Sequence, residues 1–107
     1  MTGILSEAEI TRIVGRIAHL TDPDSVLIFG SYAKGRAEIR SDLDLLVVMP
    51  NGPLRWRPCD LEPLTSGSII PVDVHIVTSE ELTEYGAVRH HFLHSVLTTA
   101  RIAYRRT

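Results

Sequence analysis

The stretch Gly30-Ser31-Tyr32-Ala33-Lys34-Gly35-Arg36-Ala37-Glu38-Ile39-Arg40-Ser41-Asp42-Leu43-Asp44-Leu45 organises the whole sequence. The apolar run Val26-Leu27-Ile28-Phe29 leads into it and is closed by Gly30, the pattern of a short buried strand. A second apolar run, Leu43 to Met49, leaves it and is ended by Pro50-Asn51-Gly52-Pro53. One strand therefore ends in Gly30-Ser31, and the next opens with Asp42-Leu43-Asp44. Side chains at i and i+2 of a strand share a face. Asp42 and Asp44 thus project together, their backbones roughly 6–7 Å apart. Their mutual repulsion is on the order of 2 kcal/mol at an effective dielectric of about 20.

A bare Asp-x-Asp pair is more often a solubilised strand end, or a local Ser41-Asp42 turn, than a site. Three neighbouring features favour a site here. Gly30 lets the backbone approach a phosphate closely, and Ser31 offers a hydroxyl and an amide donor at an expected helix start. Lys34, Arg36 and Arg40 supply cations of the kind a triphosphate requires. Asp73 falls inside the alternating run Val72-Asp73-Val74-His75-Ile76-Val77, a third strand, where an unpaired carboxylate is costly to bury. Neighbouring strands lie ~4.8 Å apart, so Asp73 completes a three-carboxylate cluster if its strand lies beside the second. A hard divalent cation such as Mg²⁺ offsets such a cluster, taking one or two carboxylates and completing its shell with nucleotide phosphates.

Outside these strands, Ser6-Glu7-Ala8-Glu9 reads as a capping box, and Ile10, Ile13, Val14, Ile17 and Leu20 recur at helical spacing, predicting a helix over Glu7 to Leu20 that Asp22-Pro23-Asp24 stops. From Asn51 to Pro71, Pro53, Pro58, Pro63 and Pro71 leave room for at most a short helix around Asp60 to Thr65. Ser79-Glu80-Glu81-Leu82 looks like a helix start, and the stripe Val88, Phe92, Val96, Leu97 and Ile102 predicts helix to the chain's end, with Arg101, Arg105 and Arg106 in its last turn. The expected fold class is α/β (α+β), a small mixed sheet flanked by helices in one domain over residues 1–107.

Composition bounds the function classes. The 107 residues, 44% hydrophobic and 22% charged, are those of an ordinary soluble globular domain with one core. A net charge of −2 argues against an extended nucleic-acid surface, although local basic patches remain. Cys59 is the sole cysteine, which excludes an intrachain disulfide and a cysteine-based zinc site. The start of the chain carries Glu7 and Glu9 rather than a basic flank and apolar run, and no stretch reaches the ~20 apolar residues of a membrane span. The expectation is a cytoplasmic protein with no membrane partner.

Gly30-Ser31, ten intervening residues, then Asp42-Leu43-Asp44 resembles the signature of the DNA polymerase β-type nucleotidyltransferase superfamily. The compact form, Gly-Ser-x-Ala-(Arg/Lys)-Gly followed by Ser-Asp-x-Asp-Leu, is similar to the minimal nucleotidyltransferases that act as antitoxins beside HEPN-domain toxins. The resemblance runs from about Ser25 to Val77. It implies a polymerase β-like fold, with Gly30, Ser31, Lys34 and Arg36 binding the phosphates of ATP. It also implies two Mg²⁺ ions on Asp42, Asp44 and Asp73, with Asp73 serving the metal that activates the acceptor. Two departures stand out: the segment between the second and third strands is proline-rich where the family has a helix, and Lys34 replaces the more usual arginine.

Other residues admit two readings. His75 shares a strand face with Asp73, so it either contacts substrate or is simply a half-exposed polar residue. His90 and His94 have metal-ligand spacing on a helix but lack the glutamate of a His-Glu-x-x-His motif, which favours a solvated face. Trp56, between Arg55 and Arg57, is a base-stacking platform, a partner anchor or a core pin. Tyr32 either packs beneath the loop or reaches the nucleotide.

By resemblance, the function is transfer of AMP from ATP to a tyrosine hydroxyl of a HEPN-type toxin, with the partner supplying the recognition surface that so short a chain lacks. The alternatives are a non-catalytic antitoxin that binds and occludes its partner, and a small-molecule nucleotidyltransferase. Homo-oligomerisation through Val88, Phe92 and Val96 is a further expectation.

Overall fold

A computed structural model of the chain describes residues 6–33, 35, 42–68, 70–89 and 91–106. Helix α1 (Glu7–Thr21) begins where the sequence places it, because its capping box closes: the Glu9 amide donates to Ser6 Oγ, and the Ser6 amide donates to Glu9 Oε1, each at 3.2 Å. It ends at Asp22, whose φ of 50° turns the chain into strand β1 (Ser25–Phe29). Strand β2 (Leu43–Met49) follows, then helix α2 (Pro58–Thr65), strand β3 (Val72–Thr78), helices α3 (Ser79–Gly86) and α4 (Phe92–Thr99), and strand β4 (Arg101–Arg105).

The four strands form one mixed sheet in the order β3-β2-β1-β4. β1 runs antiparallel to both β2 and β4, whereas β2 and β3 are parallel. Alternation sorts the strand side chains between two cores. Val26, Ile28, Leu43, Leu45 and Val47 pack against Ile13, Ile17 and Leu61 of α1 and α2. Leu27, Leu46, Val48 and Val77 pack against Leu93 and Val96 of α4, with Leu82 of α3 beside them. β2 is thus covered on both faces, which is why its sequence is a nearly continuous apolar run.

Two expectations need adjustment. The proline-rich linker holds a short helix that ends at Thr65 as expected, but α2 starts earlier, with Pro58 in its first turn, and buries Leu61 completely. The predicted C-terminal helix is instead two short helices and a strand. α3 takes its capping box from Thr78 and Glu81 and stops at Gly86, so Val88 lies between the helices. α4 ends at Thr99, and Ala100 is extended (φ −73°, ψ 154°).

β4 then fills the free edge of β1, pairing Tyr104 with Val26 and Ile102 with Leu27. That edge needs hydrogen-bond partners, and this demand outweighs the weak helical spacing of Ile102. Arg101 and Arg105 accordingly sit on a strand, not in a helical turn. Arg101 reaches back to both carboxylate oxygens of Glu7 at 2.9 and 3.0 Å, and the Arg106 amide donates to the Asp24 carbonyl at 2.9 Å. Among the described residues no helix is long and apolar enough to cross a membrane.

Candidate active site

Strand register assembles the carboxylates. Asp44 stands opposite Asp73 across the parallel β2–β3 pair and opposite Phe29 across the antiparallel β1–β2 pair. The condition on which Asp73 depended, a third strand beside the second, is met. Asp44 and Asp73 project from the face that carries Leu46 and Val48, and Asp42, two residues before Asp44, follows the same alternation. Helix α4 covers the middle of this face and leaves the Asp42 end open: Asp42 and Asp44 are half-buried and Asp73 is exposed.

Gly30 is fitted to Asp44. Its φ is +75°, and a Cβ placed there would collide with Asp44 Oδ2. The glycine therefore makes the tight exit from β1 and also leaves room for the carboxylate. Burial first, and then the negative charges of Asp73 and Asp42, hold the Asp44 carboxyl above its usual range, while His75 pulls it the other way. Asp44 is the carboxylate on which the charge of the site converges.

This donor set suits a hard divalent ion. Among the described residues no three His, Cys, Asp or Glu side chains stand close enough to form a ready-made cage. Mg²⁺ does not require one, since it is commonly held by one or two carboxylates together with phosphate and water. The fit rests on oxygen donors, a repulsion centred on Asp44 that His75 offsets only in part, and space kept free by Gly30.

The remaining candidates divide. Gly30 to Ala33 form a turn rather than the expected helix start, with the Gly35 amide donating to the Tyr32 carbonyl at 3.4 Å. Tyr32 is buried in the core beneath the turn, on the α1 and α2 side, away from the carboxylates. Trp56 packs against that same core. Lys34, Arg36, Arg40, Ser41 and His90 lie outside the described residues. His94 Nδ1 meets the Gly86 carbonyl at 3.0 Å, and His91 Nδ1 accepts the Leu93 amide at 3.1 Å, so both serve helix packing and capping.

Sequence reading missed one feature. His75 lies between two rings, with centroids 5.7 Å from Phe29 and 5.7 Å from Phe92. Phe29 and His75 fall on the site face by strand alternation, which was readable. Phe92 arrives only through the placement of α4, which no local pattern gives.

Comparisons with known proteins agree with this architecture. A family model described as a nucleotidyltransferase domain matches residues 10–102. No curated protein matches the chain. Among solved structures, a toxin–antitoxin crystallised with AMP-PNP is similar at a TM-score of 0.59 and 19% identity, over 96% of this chain and 76% of that one. A candidate nucleotidyltransferase from Sulfolobus solfataricus gives 0.57 and 21%, over 99% and 94%. A mutant of the toxin–antitoxin MntA-HpeT gives 0.57 and 18%, over 96% and 76%. At these identities the likeness is one of fold.

Proposed function

Because the chain belongs to the nucleotidyltransferase domain family, we propose that it transfers AMP from ATP to a hydroxyl, that of a tyrosine, on a partner toxin of the HEPN type. The observation that carries this reading is the Asp44–Asp73 register pair with Gly30 opened toward Asp44. Similarity in fold to two toxin–antitoxin structures, one holding AMP-PNP, supports the choice of nucleotide and the kind of partner. The reaction draws on ATP of the cytoplasm, where the proposal places the chain.

In this reading the backbone of Gly30 and the hydroxyl of Ser31 hold the phosphates, with Lys34 and Arg36 contributing charge. Asp42, Asp44 and Asp73 hold the Mg²⁺ ions, which supply charge stabilisation to the attacking oxygen and to the leaving pyrophosphate. The acceptor oxygen forms a bond to the α-phosphorus as the bond to the β-phosphate bridging oxygen breaks. The proton of the hydroxyl passes to Asp73, the most exposed carboxylate of the three.

The test is incubation with α-labelled ATP, Mg²⁺ and the product of the adjacent gene. Label on that protein, abolished by Asp42→Ala/Asp44→Ala, is expected; an unlabelled partner in the presence of bound ATP sinks the claim. A second reading, a binding module without chemistry, draws on the absence of a ready-made ion cage among the described residues. It wins if the double variant still suppresses the partner fully.

A further inference from the structure

The ring contacts at the site continue beyond it. From Phe29 and His75 the series passes to Phe92, then to His91 at 5.3 Å and Tyr85 at 5.1 Å, the last two pairs stacked. It begins on the sheet face that bears Asp44 and Asp73 and ends on the outer surface of α3 and α4. Phe92 is 49% exposed, Val88 49% and Tyr85 40%, whereas Leu93 and Val96 at 2% close the core beneath. The exposed rings are therefore surplus to the fold, and half-wet aromatic groups of this kind are strong anchors for a partner.

We propose that this aromatic strip is the docking surface for the acceptor protein; the inference rests on the transfer reading above. Its occupant is a protein segment with an apolar or aromatic centre and neutral or basic flanks. Two observations select it. The strip joins the carboxylates through His75, two residues beyond Asp73 on the same strand face, so a segment lying on Phe92 and Val88 brings a side chain to Asp73. Asp42, Asp44 and Asp73 border that end of the strip, and their negative charge disfavours an acidic segment. A second copy of the chain seated there would close the mouth of the site against its own acceptor.

The probe is the purified product of the adjacent gene, and its binding is measured by titration calorimetry without nucleotide or Mg²⁺, so the readout is independent of transfer. Val88→Ser/Phe92→Ser is expected to raise Kd about thirtyfold, a hot-spot loss. Leu54→Ser, an equally exposed apolar site at the far end of the sheet, is expected to stay within about twofold. Val88→Ser alone, outside both helices, repeats the measurement with no demand on the core. Amide shifts induced by the probe are expected at Tyr85, His91 and Phe92.

No binding by the wild-type chain, wild-type affinity in the double variant, or equal loss in Leu54→Ser overturns the proposal. So does light scattering that shows a wild-type dimer made monomeric by Val88→Ser/Phe92→Ser. Strip-dependent binding without label on the partner sinks transfer and keeps docking; label with strip-independent binding does the reverse.

Discussion

Among the described residues Asp44 is the carboxyl whose ionisation the fold shifts clearly, and that shift links the site to stability. Its pKa is raised in the fold by burial and by Asp73 and Asp42. Between the ordinary value of 3.8 and the raised one, the folded chain binds more protons than the unfolded chain. Stability from this group therefore falls as pH rises through that window, and above it the penalty is complete. Without metal, Asp44→Asn is expected to raise Tm at neutral pH, with the gain fading below pH 3.8. The same substitution is expected to lower AMP transfer by about a hundredfold or more. Thermal melts across a pH series, beside the labelled-ATP assay, check both; a variant that melts lower at neutral pH contradicts the assigned strain. Gly30→Ala acts on the same carboxylate from the opposite strand. Its positive φ and the collision with Asp44 Oδ2 predict a loss of about 1–3 kcal/mol in denaturant unfolding, with transfer falling alongside. The residues at this scale were legible because period two and a closing glycine are local signals. The convergence of charge on Asp44 was not, since it depends on which strand neighbours β2.

At the scale of elements, legibility follows how local each cause is. α1 was readable to within a residue because Ser6 and Glu9 cap each other and its apolar positions repeat. α2 was readable only in outline, since prolines argue against helix until one of them is seen to occupy the first turn. Its worth is decided by Leu61, fully buried between α1 and the sheet. Leu61→Ala is expected to lower unfolding free energy by about 2–5 kcal/mol. Leu54→Ala, in the same linker but 43% exposed, is expected to change it by less than about 0.5 kcal/mol. Equal effects in urea titrations would mean that the linker packs as a loose flap rather than as core. β4 was misread because Ile102 continues a helical spacing, whereas the pairing that makes it a strand lies some seventy-five residues away in β1.

The molecule places the candidate carboxylates at one end of a sheet and a sizeable hollow at the other. A cavity of about 560 Å³, lined by Leu20, Met49, Leu54, Arg55 and Trp56, lies at the Met49 end of β2. Asp44 lies at the opposite end of that strand, and Asp73 beside it borders a shallower hollow of about 380 Å³ with Pro58, Cys59 and Glu62. Asp73 is exposed at that end, which is consistent with an acceptor docking beside it. This placement also makes the sheet's integrity the condition for activity, and β4 is the element that secures β1. Without β4 the described strands would leave β1 as an edge with Ser25 to Ile28 unpaired on one side, and Gly30 follows that strand. The bonds from Arg101 to Glu7 and from Arg106 to the Asp22–Asp24 turn would go with it. A chain stopped after Ala100 is expected to lose the slow-exchanging amides of β1, to associate through the bared edge, and to lose ATP binding together with its fold. Hydrogen exchange and light scattering on the truncated chain decide the matter. If it stays monomeric and keeps the β1 amides protected, the site is held by β2 and β3 alone, and β4 serves some purpose other than supporting Gly30.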